Sequence, residues 1–154
     1  MTDRHTQAGI TLIEVLVTMV ILGVGLLGLG ALQALTLKHN LVALQRSYAT
    51  FHAHDIIESM RANLQQRDGY RTGFTDEPNG TALSSADLQY WKQGLAKHLP
   101  SGEGRITFDG DLVEVAIRWY ETQLPADPDG EPTLEWVQFE TQALLPKPES
   151  KTTL

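Results

Sequence analysis

Apolar residues are concentrated near the amino terminus of this 154-residue chain. From Val15 to Leu32 every residue is apolar or glycine except Thr18. A helix over residues 10–32 would be about 35 Å long at about 1.5 Å per residue, and the hydrocarbon core of a bilayer is about 30 Å thick. The pattern therefore predicts a transmembrane helix. The alternative is a secretory signal peptide cut near Ala31 or Ala34, although its apolar core is only about 7 to 15 residues long.

A helical apolar pattern continues beyond the predicted membrane segment. Apolar residues recur at spacings of three and four at Leu37, Leu41, Leu44, Tyr48 and Phe51. The pattern then continues through Ile57 and Met60. Because no proline occurs before Pro78, we expect one helix of more than 50 residues that ends near Asp68-Gly69. The pattern slips between Phe51 and Ile57, which favours packing of this face on the protein's own domain over a dedicated coiled coil.

The second half of the chain predicts one short helix and three strands. Ser84 to Asp87 offers a helix cap, and Pro100 and Gly102 end the helix whose apolar residues are Leu88, Trp91, Leu95 and Leu99. Residues 105–108 and 112–120 predict a hairpin with a tight Asp109-Gly110 turn, and residues 134–144 predict a third strand. The fold class is therefore α+β, with a long amino-terminal helix packed on a small antiparallel sheet domain and one short extra helix.

Charge and composition exclude several functions. Residues 1–63 are neutral, whereas the remainder has 8 Lys and Arg against 15 Asp and Glu, so the net charge of −7 belongs to the second half. An acidic surface repels phosphate backbones, and no nucleic-acid partner is expected. Without cysteine the chain has no disulfide, thiolate zinc site or cysteine nucleophile.

No arrangement of residues predicts catalysis, so we expect no enzyme activity, no cofactor and no metal site. His52 and His54 are two residues apart on a helix and do not converge on one metal ion. Residues 127–131 resemble part of a calcium loop but lack its full ligand spacing. Trp91, Trp119 and Trp136 are interpreted as core or sheet-face aromatics, one of which could contact another subunit.

Glu14 lies near the start of the apolar run, where an ionised side chain costs roughly 2.5 to 3.5 kcal/mol or more at membrane depth. It closes the segment Gly9-Ile10-Thr11-Leu12-Ile13-Glu14, which follows a short polar leader. This segment resembles the processing motif of type IV pilins and pseudopilins. The resemblance implies cleavage after Gly9, methylation of the new amino terminus at Ile10, and a role for Glu14 in filament entry. Ile10 departs from the phenylalanine usual at that position.

Two later segments, residues 55–63 and 87–106, resemble a branch of minor pilins. The resemblance implies a leader at 1–9, a transmembrane half-helix at 10–37, a periplasmic α+β domain at 38–145 and a loose tail at 146–154. It also implies as partners a prepilin peptidase and N-methyltransferase, other minor pilins, the major pilin, the assembly platform and inner-membrane lipid. A type II secretion pseudopilin and a membrane-anchored adhesion or binding module are the alternative functions.

Overall fold

The computed structural model describes residues 11–123 and 133–147. Its elements are, in chain order, α1 (Leu12–Ala62), a 3-10 segment (Leu64–Tyr70), α2 (Leu83–His98), β1 (Glu103–Asp109), β2 (Leu112–Gln123) and β3 (Thr133–Leu144). The expected α+β architecture, with a long amino-terminal helix, one short helix and a three-stranded antiparallel sheet, is confirmed. The chain divides into two units, Met1–Leu41 and Val42–Leu154.

The long helix is confirmed at 51 residues, but its predicted end near Asp68-Gly69 is wrong. Asn63 leaves the helical region with φ −123° and ψ 45°. Its backbone N–H donates to the carbonyl oxygens of both Ser59, at 3.1 Å, and Met60, at 3.2 Å. The chain tightens there into the 3-10 segment, so the apolar pattern continues to Leu64 while the α-helix does not.

The face of α1 that packs into the domain is also different from the one predicted. Leu44 and Phe51 are 49% and 62% exposed, and Leu37 and Leu41 are exposed as well. Ile57 and Met60 of the predicted stripe are buried and Tyr48 is partly buried, but the other buried residues of α1 lie outside that stripe: Gln45, Ala49, His52, Ala53 and Ile56. Because each residue turns the helix by about 100°, this face lies one position away from the predicted stripe. Ala49 and Ala53 belong to the same buried core cluster as the two buried tryptophans, Trp91 and Trp119.

Helix α2 has the predicted core face but not the predicted cap. Leu88, Trp91, Leu95 and Leu99 are all buried in the core. The helix begins after Ala82, which makes no side-chain capping bond, so the cap expected between Ser84 and Asp87 is wrong. Asp87 instead accepts a hydrogen bond from the Tyr70 hydroxyl. Burial, followed by this hydrogen bond, raises the pKa of Tyr70 to about 12.

The sheet has the strand order β1-β2-β3, with β2 in the centre. The alternation predicted for β2 is confirmed, since Val113, Val115, Ile117 and Trp119 all face the core. The hairpin is shifted by one residue, because Asp109 pairs with Leu112 and the turn residues are Gly110 and Asp111. Gly110 has φ +57°, a conformation that glycine adopts without steric cost. The predicted third strand is confirmed as β3.

The outer side of β1 is met by the segment that follows the 3-10 helix. The backbone of Thr72 donates to and accepts from the backbone of Ile106, at 3.2 and 2.9 Å. Lys92 on α2 secures the next residues by donating to the carbonyl oxygens of Gly73, at 2.7 Å, and Asp76, at 2.5 Å. Burial lowers the pKa of Lys92.

Candidate functional site

Glu14 lies in the first turn of α1 and is exposed. The Thr11 carbonyl oxygen accepts the first helical hydrogen bonds, from the N–H of Glu14 at 3.0 Å and of Val15 at 3.3 Å. The Thr18 hydroxyl donates to the Glu14 carbonyl oxygen one turn later. A carboxylate at this end of a helix is favourable because the free N–H groups carry partial positive charge. Gly9 and Ile10, the other two predicted site residues, lie outside the described residues.

The apolar half of α1 has its side chains exposed. Over its most apolar 18 residues the mean hydropathy is 2.5 and none of that window is buried. Within residues 11–123 and 133–147, α1 is the only helix long and apolar enough to cross a membrane. A signal sequence passes the same test, so length and composition alone do not separate these two possibilities.

Four glycines lie in this apolar half, at positions 23, 25, 28 and 30. A Cβ added at any of them would meet no atom within 4 Å. Their small size therefore serves no contact within the described part of this chain. Glycines of this kind allow the close approach of a neighbouring helix in a membrane, and they also weaken the helix by about 1 kcal/mol each in water.

A pair of histidines joins α1 to α2 in the domain. His52 Nε2 lies 3.0 Å from His98 Nδ1, and the Tyr48 ring stacks on His98 with centroids 4.7 Å apart. The indole N–H of Trp91 donates to the His52 carbonyl oxygen at 2.9 Å. Burial and, after it, the nearby His98 lower the pKa of His52, while Asp55 acts in the opposite direction. This arrangement links the two helices through a hydrogen-bond contact between the His52 and His98 rings.

Aromatic and cationic side chains are stacked on the outer face of the sheet. Trp136 is 42% exposed and stacks on Tyr120 with centroids 4.0 Å apart. The Arg118 guanidinium lies 4.6 Å from the Trp136 ring centroid and 4.2 Å from that of Phe74. Arg118 is also paired with Glu103, at 2.6 Å. Trp91 and Trp119 are buried in the core, so Trp136 is the tryptophan available to another molecule.

The remaining candidates from the sequence do not form a site in the described part of the chain. Residues 127–131, which resemble part of a calcium loop, lie outside it. Within the described residues, no group of three or more His, Asp or Glu side chains is placed to hold a metal ion. The sequence analysis missed the contact of His52 with His98, because the two are 46 positions apart and no local spacing signals their approach.

Comparison with protein families gives a match over residues 4–30, to the family described as the prokaryotic N-terminal methylation motif. This is the amino-terminal motif of type IV pilin-like proteins, and it includes Gly9, Ile10 and Glu14. The match covers the amino-terminal motif and the start of α1, and over these residues it indicates the amino terminus of a type IV pilin or pseudopilin. No curated protein and no solved structure gives a significant match.

Proposed function

We propose that this chain is a minor pilin, a structural subunit that helps to initiate or cap a type IV pilus. The observation that carries the proposal is the methylation motif at residues 4–30, which runs directly into the exposed apolar half of α1. A motif followed by an apolar helix whose side chains find no partner within the described chain is typical of a subunit stored in lipid. The resemblance of residues 55–63 and 87–106 to the type IV pilus modification protein PilV favours that branch of minor pilins.

Processing defines the segments of the proposed subunit. Cleavage after Gly9 removes the leader at 1–9 and leaves Ile10 as the methylated amino terminus. Residues 10–37 then hold the chain in the inner membrane, and residues 38–145 form the periplasmic domain. Arg4 in the leader favours this orientation, because positive charges are retained on the cytoplasmic side. A prepilin peptidase with N-methyltransferase activity is the enzyme that this step requires.

Glu14 is the residue proposed to control entry into the filament. Cleavage creates a cation at Ile10, four positions before Glu14 in the sequence. Within a filament the same carboxylate meets the Ile10 ammonium of a neighbouring subunit, so one buried pair replaces another and sets the axial register. Specification of register is the best-attested role of a buried charge pair. Other minor pilins and the major pilin are the partners, delivered at the assembly platform.

The mature amino terminus tests the processing step. Intact mass and amino-terminal sequencing of protein from membranes are expected to give N-methylated Ile10. A chain that begins near Ala31 or Ala34 would establish the signal-peptide alternative and remove the membrane helix from the mature protein.

Gene deletion separates the pilus from the secretion filament. We expect surface pili to be lost while secretion continues, with pili restored by the wild-type gene. Loss of secretion with normal pili would instead assign the chain to a type II secretion pseudopilus.

The exposed Trp136–Tyr120 pair favours one further candidate, a membrane-anchored binding module. Tight binding of a surface ligand that Trp136→Ala abolishes, in cells with normal piliation, would support it.

A further inference from the structure

Strand β3 forms a long edge of the sheet that the described residues leave open. It pairs with β2 over twelve consecutive residue pairs without a bulge, and no strand within residues 11–123 or 133–147 pairs with its other side. Proteins usually protect such an edge with proline, a bulge, a very short strand or charged side chains, most often lysine and sometimes a charge that points inward. Residues 133–144 contain no lysine, arginine, proline or glycine. The outer edge of β1, in contrast, is bridged by Thr72.

The core beneath β3 is incomplete. Val137 and Phe139 are only partly buried, whereas their partners on β2, Trp119 and Ile117, are buried. A groove of about 290 Å³ lies on this side of the sheet; we call it the β3 groove, and it is lined by Arg46, Thr50, Trp119, Val137, Gln138 and Phe139. The indole N–H of Trp119 is buried and has no acceptor. An unpaired buried donor of this kind destabilises the fold.

Two carboxylates lie directly opposite each other beside the β3 groove. Glu121 on β2 pairs in register with Glu135 on β3, two residues along from the Trp119–Val137 pair and therefore on the same face. Glu121 is only 9% exposed, and its Oε2 has no hydrogen-bond donor. Like charges directly opposite each other destabilise a sheet. The connection between the two strands, residues 124–132, contains no lysine or arginine in its sequence.

We propose that β3 receives a strand from a different protein chain, which adds to the sheet as a fourth strand. Its side chains on the groove side have a defined pattern, with a lysine or arginine beside Glu135 and apolar residues beside Val137 and Phe139. The cation neutralises the Glu121–Glu135 pair, and the apolar side chains complete the core over Trp119. This inference concerns the domain alone and does not depend on the membrane role proposed above.

The chemistry of the edge selects this occupant over others. A row of backbone N–H and C=O groups at strand spacing is satisfied by another strand and not by a helix. A second copy of β3 fits poorly, because residues 133–144 carry Glu135 and Glu140 and no cation. Pairing of β3 with a second copy of β3 would bring further negative charge close to the Glu121–Glu135 pair. A strand of another chain with a basic residue and alternating apolar residues would pair with the backbone of β3 and neutralise the Glu121–Glu135 pair.

The test uses the full-length protein in detergent micelles, with ¹⁵N-labelled tryptophan. The probes are the capped peptide Thr-Lys-Thr-Val-Thr-Val-Thr and its reverse sequence, since either strand direction satisfies the edge. We expect one of them to shift the Trp119 indole signal with a Kd below about 1 mM. The Trp91 indole, which already donates to His52, is the internal reference. The same peptides with proline as the central residue are expected to bind at least about tenfold more weakly, because proline cannot donate to the ladder.

Charge variants test the assigned pattern. Glu135→Lys is expected to weaken binding of the lysine peptide about fivefold or more, whereas Glu140→Lys, on the opposite face of the same strand, changes it less than about twofold. A peptide with glutamate in place of lysine should restore binding to Glu135→Lys. Thermal unfolding verifies that each variant is folded. The proposal is overturned if neither lysine peptide shifts Trp119 at about 5 mM, if the proline peptides bind equally well, or if both variants behave alike.

Discussion

The apolar half of α1 and the sheet domain use hydrophobic residues in opposite ways. In the domain they are buried against one another, and a Cβ added at Gly104 would lie 2.3 Å from Cη2 of Trp91. In the apolar half they are exposed, and a Cβ added at Gly28 would meet nothing within 4 Å. One region contains its own packing partners, and the other requires lipid or further subunits to supply them. Mutations in the apolar half should therefore impair assembly, whereas mutations in the domain core should lower its thermal stability.

Glu14→Ala should give the largest effect, and the effect should be confined to assembly. Loss of one member of a buried charge pair costs about 3 to 5 kcal/mol, a factor of hundreds or more in association. Membrane insertion should not suffer, because one ionisable group fewer enters lipid. Membrane abundance, mature size and presence in sheared pili are measured in a strain without the native copy.

Glu14→Gln is the matched variant, since it keeps the shape of the side chain without the charge, and it should fail in the same way. Normal incorporation of the cleaved Glu14→Ala protein would refute the pairing role. Accumulation of uncleaved precursor would move the role of Glu14 to recognition by the peptidase.

A glycine-to-alanine substitution should lower the Tm of the domain when it is made in the domain core and leave it unchanged when it is made in the apolar half of α1. Gly104→Ala forces a methyl group against Trp91 and Leu95 and should cost about 2 to 3 kcal/mol. For a domain of about 100 residues that is a fall of roughly 10 to 20 °C in Tm. Gly28→Ala should leave the Tm of the domain unchanged. Thermal unfolding of full-length protein in one detergent gives both values, and an equal fall in both would contradict the comparison.

Acid should weaken the domain through His52. Burial and the contact with His98 lower its pKa in the folded protein, so the unfolded chain binds more protons just below the ordinary value of 6.5. Stability is therefore fully present above about pH 6.5 and falls as the pH drops from there towards the lowered pKa. The other titratable residues that line the pocket beside His52 are Asp55, Tyr90, Lys97 and His98. Urea unfolding between pH 5 and 8 measures the slope, and His52→Asn should reduce it.

Removal of the apolar half should have the smallest effect on the domain itself. A chain that begins at Lys38 keeps every buried core residue from Ala49 onwards. We expect it to be soluble without detergent and to unfold cooperatively, with a Tm within a few degrees of the full-length domain. Aggregation or the absence of a cooperative transition would show that the domain depends on the removed residues or on a partner subunit.

Periodicity predicted the elements well where one face is buried and the other is wet. Val113, Val115, Ile117 and Trp119 are buried as the alternation predicts, although Ala116 between them is buried as well, and β3 was placed within one residue of its observed start. Periodicity failed on α1, where two apolar faces compete. The stripe through Leu44 and Phe51 has larger side chains, but the domain buries the face with Ala49 and Ala53. An apolar helix face in a sequence indicates that the face is buried somewhere, but it does not show whether it packs on the protein's own domain or on another molecule.

Contacts between residues far apart in the chain could not be predicted from the sequence. Arg67 is buried, donates to the Gly110 carbonyl oxygen at 2.5 Å and lies 4.7 Å from the Phe108 ring centroid. Nothing around Arg67 in the sequence distinguishes it from a surface arginine. The Glu121–Glu135 pair is similar, because it depends on the register of β2 with β3. The methylation motif, in contrast, is a local stretch of sequence, and a family comparison finds it directly.

The Thr72 bridge on β1 has a consequence for stoichiometry. The bridge occupies the β1 side at Ile106, so among residues 11–123 and 133–147 the long unpaired edge of the sheet is the one along β3. A sheet with two open edges can be extended at both, and copies of it can join into an indefinite series. A sheet with one open edge is monovalent: it binds one strand and then stops. By this route each domain would recruit a single strand and form a one-to-one complex.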